Sequence, residues 1–200
     1  MSDIENTTGE TRGRPRDPSL GDRILTATRA LLVEQGYAGM TLDGVAAAAG
    51  CGKSAIYRRF DGKAQLVVAA VKQLQAPWPV PDTGSLRDDL LACAMHYARA
   101  DEQASAVLAR LLAELGRDPE LYDVAYQTIG RPPVAALISV IDRAKERGDA
   151  RDDAPTELIA GIVPSVAFGS VTLQGRSLEP ATIERLVDDV LLPALIAAAS

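Results

Sequence analysis

Two short helix-forming segments joined by a glycine-containing turn constrain the fold of this chain more than any other feature. Thr41 offers a hydroxyl N-cap, and apolar residues then recur at helical spacing as far as Gly50. The turn Gly50-Cys51-Gly52 separates this segment from a second one, which runs from Lys53 to about Arg59. Two short helices around a turn of this kind predict a helix-turn-helix.

Helical periodicity and helix stop signals also dominate the remaining sequence. A first helix is expected from Asp22 to Gly36, and a fourth is expected to begin after Gly62. Few β-branched runs and no hairpin signals occur, so an all-α fold is predicted. A break is expected at Gly130-Arg131-Pro132-Pro133. The further predicted helices span residues 85–99, 101–116, 119–130, 133–147, 155–173 and 180–199.

The proline-rich segment 76–84 predicts a boundary between two domains. Residues 20–75 are expected to form a three-helix helix-turn-helix domain, and residues 76–200 a larger helical domain. Residues 1–19 are polar, contain Gly and Pro, and are predicted to be a disordered basic tail. Arg14 and Arg16 belong to its basic cluster, which either enters a DNA minor groove or only increases solubility.

The charge of the chain is unevenly distributed along its length. The net charge of −6, taken alone, argues against nucleic acid as a partner. Residues 1–72 carry 10 Lys or Arg and 8 Asp or Glu, whereas residues 73–200 carry 11 and 19. The N-terminal region is therefore the end that is expected to face phosphates.

Several classes of protein are disfavoured. Cys51 and Cys93 are far apart and fit neither a disulfide framework nor a zinc site. The N-terminal residues lack an apolar leader, and no apolar run is expected to reach the roughly 18 residues of a membrane span. No nucleophile elbow, P-loop or dinucleotide-binding glycine motif is evident. The sequence predicts a cytoplasmic protein that is not an enzyme, with no metal, no cofactor and no membrane partner.

The second helix of the predicted helix-turn-helix has residues suited to DNA. Ile56 and Phe60 are expected to face the core, while small and basic side chains face outward. Small residues permit close approach to a major groove, and basic ones neutralise phosphates. The expected phosphate contacts are Thr41, Lys53, Tyr57, Arg59 and Lys63, and the expected base contacts are Ser54, Ala55 and Arg58. The alternative is a solvated helix face with Tyr57 packed in the core.

Residues 22–71 resemble the N-terminal domain of the TetR family of transcriptional repressors. The resemblance is carried by Gly36-Tyr37, by the six residues from Thr41 to Ala46, and by the segment from Gly50 to Phe60 with Lys63. It implies a head that binds a double-stranded DNA operator and a helical body that binds a small-molecule effector and forms a homodimer. It also implies DNA contacts by Thr41, Lys53, Tyr57 and Lys63. The sequence departs from the family pattern at Gly44, Gly52, Arg59 and Asp61.

The last two predicted helices are apolar on more than one side, so each must be covered on more than one side. Pairing with a second copy across a two-fold axis would cover them, and an internal helix pair within one chain is the alternative. The resemblance implies a four-helix dimer interface. The expected interface residues are Ile159, Ile162, Val163, Val166, Leu186, Val187, Val190 and Leu191.

The resemblance further implies an effector cavity among the helices between Ser85 and Phe168. Large or polar-tipped residues on otherwise apolar helices are its expected lining, although each of them has the alternative of simple packing. These residues are Trp78, Met95, His96, Tyr97, Leu111, Tyr122, Tyr126 and Phe168. Because charged residues are scarce among them, the expected effector is apolar or weakly polar.

Together these features predict a ligand-responsive transcriptional repressor that binds a pseudo-palindromic operator as a homodimer. The alternative is a helical DNA-binding architectural or interaction protein without a small-molecule effector. The body is longer than DNA binding alone requires, and this length favours the ligand-responsive reading.

Overall fold

The computed structural model describes residues 18–75, 77–78, 80–98 and 102–196. These residues form helices and turns without a strand, so the prediction of an all-α fold is confirmed. Helix α1 (Pro18–Gly39) begins before the expected Asp22 and includes two residues that were assigned to the tail. Gly36 has φ 72° and ψ 171°, outside the helical range, so the first part of α1 ends there as expected and a short turn continues to Gly39.

The predicted helix-turn-helix is present and its capping residues act as expected. The Thr41 Oγ1 accepts a hydrogen bond from the Gly44 N–H at 3.0 Å and caps α2 (Leu42–Ala49). Gly50 closes α2 in a left-handed conformation, with φ 64°, which an L side chain rarely adopts. The turn then leads to α3 (Lys53–Tyr57) and, through Gly62, to α4 (Lys63–Lys72).

The remaining helices begin at proline or at a side-chain cap in several cases. Ser85 caps the helix that follows the proline-rich segment, and Asp118 accepts a hydrogen bond from the Leu121 N–H at 2.9 Å. These helices are α5 (Leu86–Ala94), continued by a 3-10 turn (Met95–Ala98), then α6 (Glu102–Leu112), α7 (Pro119–Ala125), α8 (Arg131–Arg147), α9 (Thr156–Gln174), α10 (Pro180–Leu186) and α11 (Leu192–Ile196).

The break expected at Gly130 to Pro133 is wrong. A π turn (Tyr126–Gly130) joins α7 directly to α8. Pro132 and Pro133 lie in the first turn of α8, where the missing N–H groups are less costly than in a helix interior. A second π turn (Val187–Leu191) joins α10 to α11 in the same way.

The buried apolar side chains form two clusters. The first, here the head cluster, contains α1 to α4 but also α6, α7 and the first π turn. Its members include Ile24, Leu32, Val45, Ile56, Leu66, Val107, Leu111, Leu121 and Ile129. The second, here the body cluster, is formed by α5, α8, α9, α10 and the residues after α10. Its members include Leu90, Leu137, Ile141, Val163, Ile183, Val187, Leu191 and Leu195.

Helix α9 is apolar enough to need a separate account. The run from Leu158 to Gly175 spans 18 residues without a charge, contrary to the expectation that no such run occurs. By length and composition alone, α9 passes as a membrane-spanning helix. Ile159, Val163 and Ala167 nevertheless pack in the body cluster, so one side of α9 is a core face. The other side is described below.

Candidate DNA-binding surface and effector cavities

The exposed surface of α3 and its C-cap carries four of the residues expected to contact DNA. Lys53, Ser54, Tyr57 and Arg58 are exposed, and Tyr57 retains 53% of its accessible surface. Tyr57 is therefore not a core residue. The helix is preceded by Gly52, in an extended conformation that provides no side-chain cap. Its N-terminal N–H groups consequently remain available to an anion.

The expected outward position of Ala55 is wrong. Ala55 is only 6% exposed and lies with Ile56 on the buried side of α3. The reason is the brevity of the helix: five residues leave room for one anchoring face, and both central residues belong to it. The Arg59 Nη1 donates a hydrogen bond to the Ala55 carbonyl at 3.1 Å, so Arg59 is half-buried against the helix end.

The basic side chains around α3 differ in whether they already interact with other groups of the protein. The Lys53 Nζ lies 2.9 Å from the Asp43 Oδ2, and this hydrogen bond raises the pKa of Lys53. The Lys63 Nζ lies 4.4 Å from the centre of the Tyr37 ring, in a cation–π contact. Partial burial lowers the pKa of Lys63. Arg58, in contrast, is exposed at the C-cap of α3 and forms no ion pair with an acidic group among the described residues.

The three remaining expected DNA contacts are Thr41, Arg14 and Arg16. The Thr41 oxygen accepts from the Gly44 N–H, but the side chain is exposed and its hydroxyl can still donate to a phosphate. A side chain at Gly44 would place its Cβ 3.2 Å from the Thr41 Oγ1, so Gly44 keeps this cap uncrowded. Arg14 and Arg16 lie outside the described residues.

A contact between residues on either side of the proline-rich segment was not anticipated. Tyr37 at the end of α1 is 8% exposed, and its hydroxyl hydrogen-bonds to Asp118, the N-cap of α7. Burial and, after it, the Asp118 carboxylate raise the pKa of Tyr37. The Lys72 Nζ likewise donates to the Thr128 carbonyl at 3.3 Å. Asp118 before Pro119 was recognisable as a helix start, but no sequence signal identified Tyr37 as its partner.

A first cavity, of about 150 Å³, lies where the end of α4 meets the 3-10 turn, α6 and α9. Aromatic rings form much of its wall. The Trp78 ring centre lies 3.7 Å from that of His96 and 4.9 Å from that of Tyr97. The Tyr97 ring in turn meets Phe168 edge-on at 6.2 Å.

Three buried polar atoms at this first cavity have no hydrogen-bond partner among the described residues. They are the Trp78 Nε1, the Tyr97 hydroxyl and the Gln75 Oε1. Burial raises the pKa of Tyr97, so its hydroxyl keeps its proton. Buried polar groups are normally paired, and unpaired ones in a cavity are suited to binding a ligand.

A second cavity, of about 280 Å³, lies between α6, α7, α8 and α9. Its wall is mainly aliphatic and includes Leu111, Leu112, Ile129 and Val134. The rings of Tyr122 and Tyr126 lie nearly parallel, with centres 6.0 Å apart, and each is 48% exposed. The π turn places Tyr126 over Gly130, where a Cβ would lie 3.2 Å from the ring. Leu108 and Phe168 line both cavities.

All the residues expected to line an effector site lie at one of these two cavities, except Met95. Met95 packs against the body cluster, because the 3-10 turn that contains it places His96 and Tyr97 toward the cavity instead. Gln75, Leu108 and Ser177 were not anticipated. Gln75 follows α4 and Ser177 follows α9, in segments where helical periodicity no longer predicts a side-chain direction.

The residues expected at a dimer interface divide into two sets. Ile159, Val163, Val187 and Leu191 are at most 2% exposed and belong to the body cluster, so their side chains do not reach the surface and their expected position is wrong. They are buried because these helices use one apolar face for the core of their own chain. Ile162 and Leu186 are partly exposed, and Val166 and Val190 are 38% and 41% exposed.

The exposed apolar residues of α9 form a continuous stripe. Leu158, Ile162, Val166 and Leu173 lie on one side of the helix, and Leu158 and Leu173 are 70% and 85% exposed. Leu186 and Val190, in the last helical segment, also keep exposed apolar surface. We call these six residues the α9 stripe.

Comparison with known proteins agrees with this arrangement. Residues 24–70 match the family described as "Bacterial regulatory proteins, tetR family", and residues 80–190 match "Tetracyclin repressor-like, C-terminal domain". An uncharacterized HTH-type transcriptional regulator of Mycobacterium tuberculosis, Rv1556, is 34% identical over 190 residues, which cover 91% of this chain and 93% of the relative. The DNA-binding transcriptional repressor TetR of Mycobacteroides abscessus is 34% identical over 184 residues, covering 90% and 94%.

The fold is also shared with solved structures. The flavonoid-responsive regulator FrrA superposes with a TM-score of 0.69 and 24% identity, over 92% of this chain and 100% of FrrA. The family matches and the two mycobacterial relatives show the family of the chain as well as its fold. The chain belongs to the TetR family of DNA-binding transcriptional regulators.

Proposed function

We propose that this regulator is a cytoplasmic repressor that binds a pseudo-palindromic operator as a homodimer and is released by a small apolar or weakly polar effector. The observation that carries the proposal is the position of the two cavities. They lie along the seam between the head cluster, which contains α3, and the body cluster, which contains α9. A molecule bound there touches both clusters at once.

Helix α6 is the element through which binding would act on the head. Leu108 lines both cavities, whereas Val107 and Leu111 on the same helix pack in the head cluster. On the opposite wall, Phe168 belongs to α9. A ligand that fills the seam favours one distance between α6 and α9 over another, and so favours one position of the head. Such coupling amounts to about 1–3 kcal/mol in typical cases.

The α9 stripe supports the homodimer. A two-fold axis beside α9 would bring the stripe of one chain against that of its partner and place two copies of α3 on one side of the dimer. Each α3 is only five residues long, so two copies are needed to read a site of useful specificity.

Val166→Glu tests the dimer. The charge would face its own copy across the axis, and we expect a monomer by light scattering and a loss of about 100-fold or more in operator affinity, because each head alone reads only one half-site. Thr172→Glu is the matched control, since it adds the same charge at an exposed position of α9 that is not part of the stripe. A dimeric Val166→Glu protein with normal affinity would contradict this role of the stripe.

The DNA contacts are tested with the DNA that flanks the coding region, by gel shift against a random duplex. Arg58→Ala should reduce the preference for the operator, because an exposed guanidinium on α3 is suited to base edges. Lys63→Ala should weaken both duplexes alike and lower the salt slope by about one unit. Equal losses on both duplexes for Arg58→Ala would remove Arg58 from base reading.

The release step is tested by titrating candidate effectors into the operator complex. A compound that binds the seam should lower operator affinity about 5- to 150-fold, the range of typical allosteric coupling. If compounds bind in the seam but leave operator affinity unchanged, the protein is a DNA-binding architectural protein and not a ligand-responsive repressor.

A further inference from the structure

The two cavities at the seam differ in chemistry although they share a wall. The first has the unpaired Trp78 Nε1, Tyr97 hydroxyl and Gln75 Oε1 beside aromatic rings. The second is lined mainly by aliphatic side chains. Among the described residues that line either cavity, none is Lys, Arg, Asp or Glu.

We infer that the effector is an uncharged compound with a hydrogen-bond acceptor oxygen, such as a ketone, at one end of an apolar body about two rings long. The oxygen binds in the first cavity between Trp78 and Tyr97, and the apolar body extends past Phe168 toward the second. This inference rests on the proposed function, since it names the chemistry of the ligand that would act at the same seam.

The donors in the first cavity determine the polar end of the ligand. The Trp78 indole is a donor only, and the Tyr97 hydroxyl is held in its protonated form by burial. One carbonyl oxygen has two lone pairs and can accept from both groups. Bonding to it removes the cost of leaving two buried donors unpaired, and an apolar ligand would not remove that cost.

The lining also disfavours a charged ligand. A carboxylate or phosphate buried here would lose its hydration, and no Lys or Arg among the described lining residues would offset the loss. Two neutral donors stabilise an anion far less than a paired Arg or Lys does. The ligand that best satisfies this site is therefore polar but neutral.

The volumes determine the size of the apolar body. The first cavity, of about 150 Å³, is as large as an engineered apolar cavity that binds benzene. The second, at about 280 Å³, is larger. Because Leu108 and Phe168 belong to both walls, a molecule that enters the first cavity reaches the second by displacing one aromatic side chain.

Three probes of similar shape separate these properties: 4-acetylbiphenyl, 4-ethylbiphenyl and biphenyl-4-carboxylate. The first has a terminal ketone, the second replaces its oxygen-bearing group with an alkyl group, and the third is an anion. Trp78 is the only tryptophan of the chain, so quenching of its emission reports binding in the first cavity. We expect 4-acetylbiphenyl to bind the full-length protein about 10-fold more tightly than either of the other two.

A pair of variants locates the hydrogen bond. Tyr97→Phe removes one hydroxyl and keeps the ring, and it should weaken 4-acetylbiphenyl about 5- to 10-fold while leaving 4-ethylbiphenyl unchanged. Tyr37→Phe is the matched control, because Tyr37 is buried in the head cluster and lines neither cavity. It should change neither probe. The comparison of the three probes in the unaltered protein does not depend on the folding of any variant.

Several results would overturn the inference. They are equal binding of the ketone and the alkyl probe, tighter binding of the carboxylate, no binding of 4-acetylbiphenyl, or the same loss for both neutral probes in Tyr97→Phe. A gel shift without any probe keeps the two proposals apart. If the operator is bound but the ketone is not preferred, only the ligand class is wrong. If the ketone is preferred but no operator is bound, the proposed function is wrong.

Discussion

The head cluster and the body cluster differ in how they relate to the order of the chain. The head cluster joins residues from both sides of the proline-rich segment, since α6 and α7 pack against α1 and α4. The body cluster uses only residues after that segment. The expected boundary at residue 76 therefore divides the sequence but not the packing. Two helices expected to belong to the body are part of the core beneath the DNA-binding surface.

The clusters are equally well buried, but the helices around them differ in exposed aliphatic side chains: Val33 on α1 is 38% exposed, whereas Leu158 and Leu173 on α9 are 70% and 85% exposed. Leu66, Leu111 and Leu121 in the head cluster are at most 1% exposed. The body cluster leaves the α9 stripe exposed on its outer side, and the seam between the clusters contains two cavities. Protein interiors are normally close-packed, so an incompletely filled seam is where a bound molecule gains most from new contacts. Under the proposed function, the head cluster supports the DNA-binding surface, and the body cluster with the seam supports effector binding and dimerisation.

Truncation gives the largest expected effect on this comparison. A fragment that ends at residue 75 contains the whole predicted helix-turn-helix domain but uncovers the sides of α1 and α4 that face α6 and α7. Domains of about 60 residues are already marginal, so we expect no cooperative thermal transition by circular dichroism. A sigmoidal melt close to that of the full chain would show instead that the head is complete without α6 and α7.

A pair of cavity-forming substitutions compares the clusters within the intact chain. Leu111 and Leu137 are each 1% exposed, one in the head cluster and one in the body cluster. Each Leu→Ala change should lower the free energy of unfolding by about 2–5 kcal/mol, measured by urea denaturation. Amide exchange should increase first in α1 and α4 for Leu111→Ala, and first in α5 and α9 for Leu137→Ala. The same exchange pattern in both variants would mean that the two clusters unfold as one unit.

Local signals in the sequence predicted the helix-turn-helix because its ends are determined by single residues. The Thr41 cap and the left-handed Gly50 require no distant partner. Gly36 leaves the helical dihedral range as its position predicts, whereas Gly130 was misleading, because it lies in a π turn that joins two helices. A stop signal indicates that a helix can end, but packing decides whether it does.

Whether an apolar residue packs in the core or stays exposed was harder to predict. Periodicity identifies an apolar helix face, but it does not identify the part of the molecule that covers this face. Val163 and Val166 are equally apolar in the sequence, yet one packs in the core and the other lies in the α9 stripe. Ala55 was misplaced for the same reason. The aromatic residues of the cavities were predicted by residue type, whereas Gln75 was not, because its position depends on the path of the chain after α4.

As pH rises, deprotonation should destabilise the body cluster at a lower pH than the head cluster. Burial raises the pKa of Cys93 from 9.0 to about 11. The unfolded chain therefore releases this proton at lower pH than the folded chain, so the free energy of unfolding falls as pH rises from about 9 toward 11. Tyr37 also has a raised pKa, but its ordinary value is 10.0 and its contribution begins at higher pH.

Cys93→Ala separates these contributions. Urea midpoints measured from pH 8 to 10 should fall more steeply for the unaltered protein than for Cys93→Ala, whatever the difference in stability at pH 8. A Tyr37→Phe protein should keep the steeper slope over this range. Parallel slopes in all three proteins would show that Cys93 does not retain its proton in the folded state.

The smallest expected effect concerns the bond between Tyr37 and Asp118, which joins residues on either side of the proline-rich segment inside the head cluster. Tyr37→Phe removes the hydroxyl but keeps the ring face that contacts the Lys63 Nζ. Asp118 retains the hydrogen bond from the Leu121 N–H. We therefore expect a loss of only about 1 kcal/mol in the free energy of unfolding, by urea denaturation.

Tyr122→Phe is the control for this last change, since Tyr122 is half-exposed and removal of its hydroxyl should leave stability unchanged. Amide exchange shows which helix is destabilised, which the total free energy of unfolding does not. If Tyr37 and Asp118 hold α7 to the head, Tyr37→Phe should raise exchange in α7 more than in α8. Increased exchange in α8 and α9 instead would place α7 with the body cluster, and the two clusters would then divide at the proline-rich segment after all.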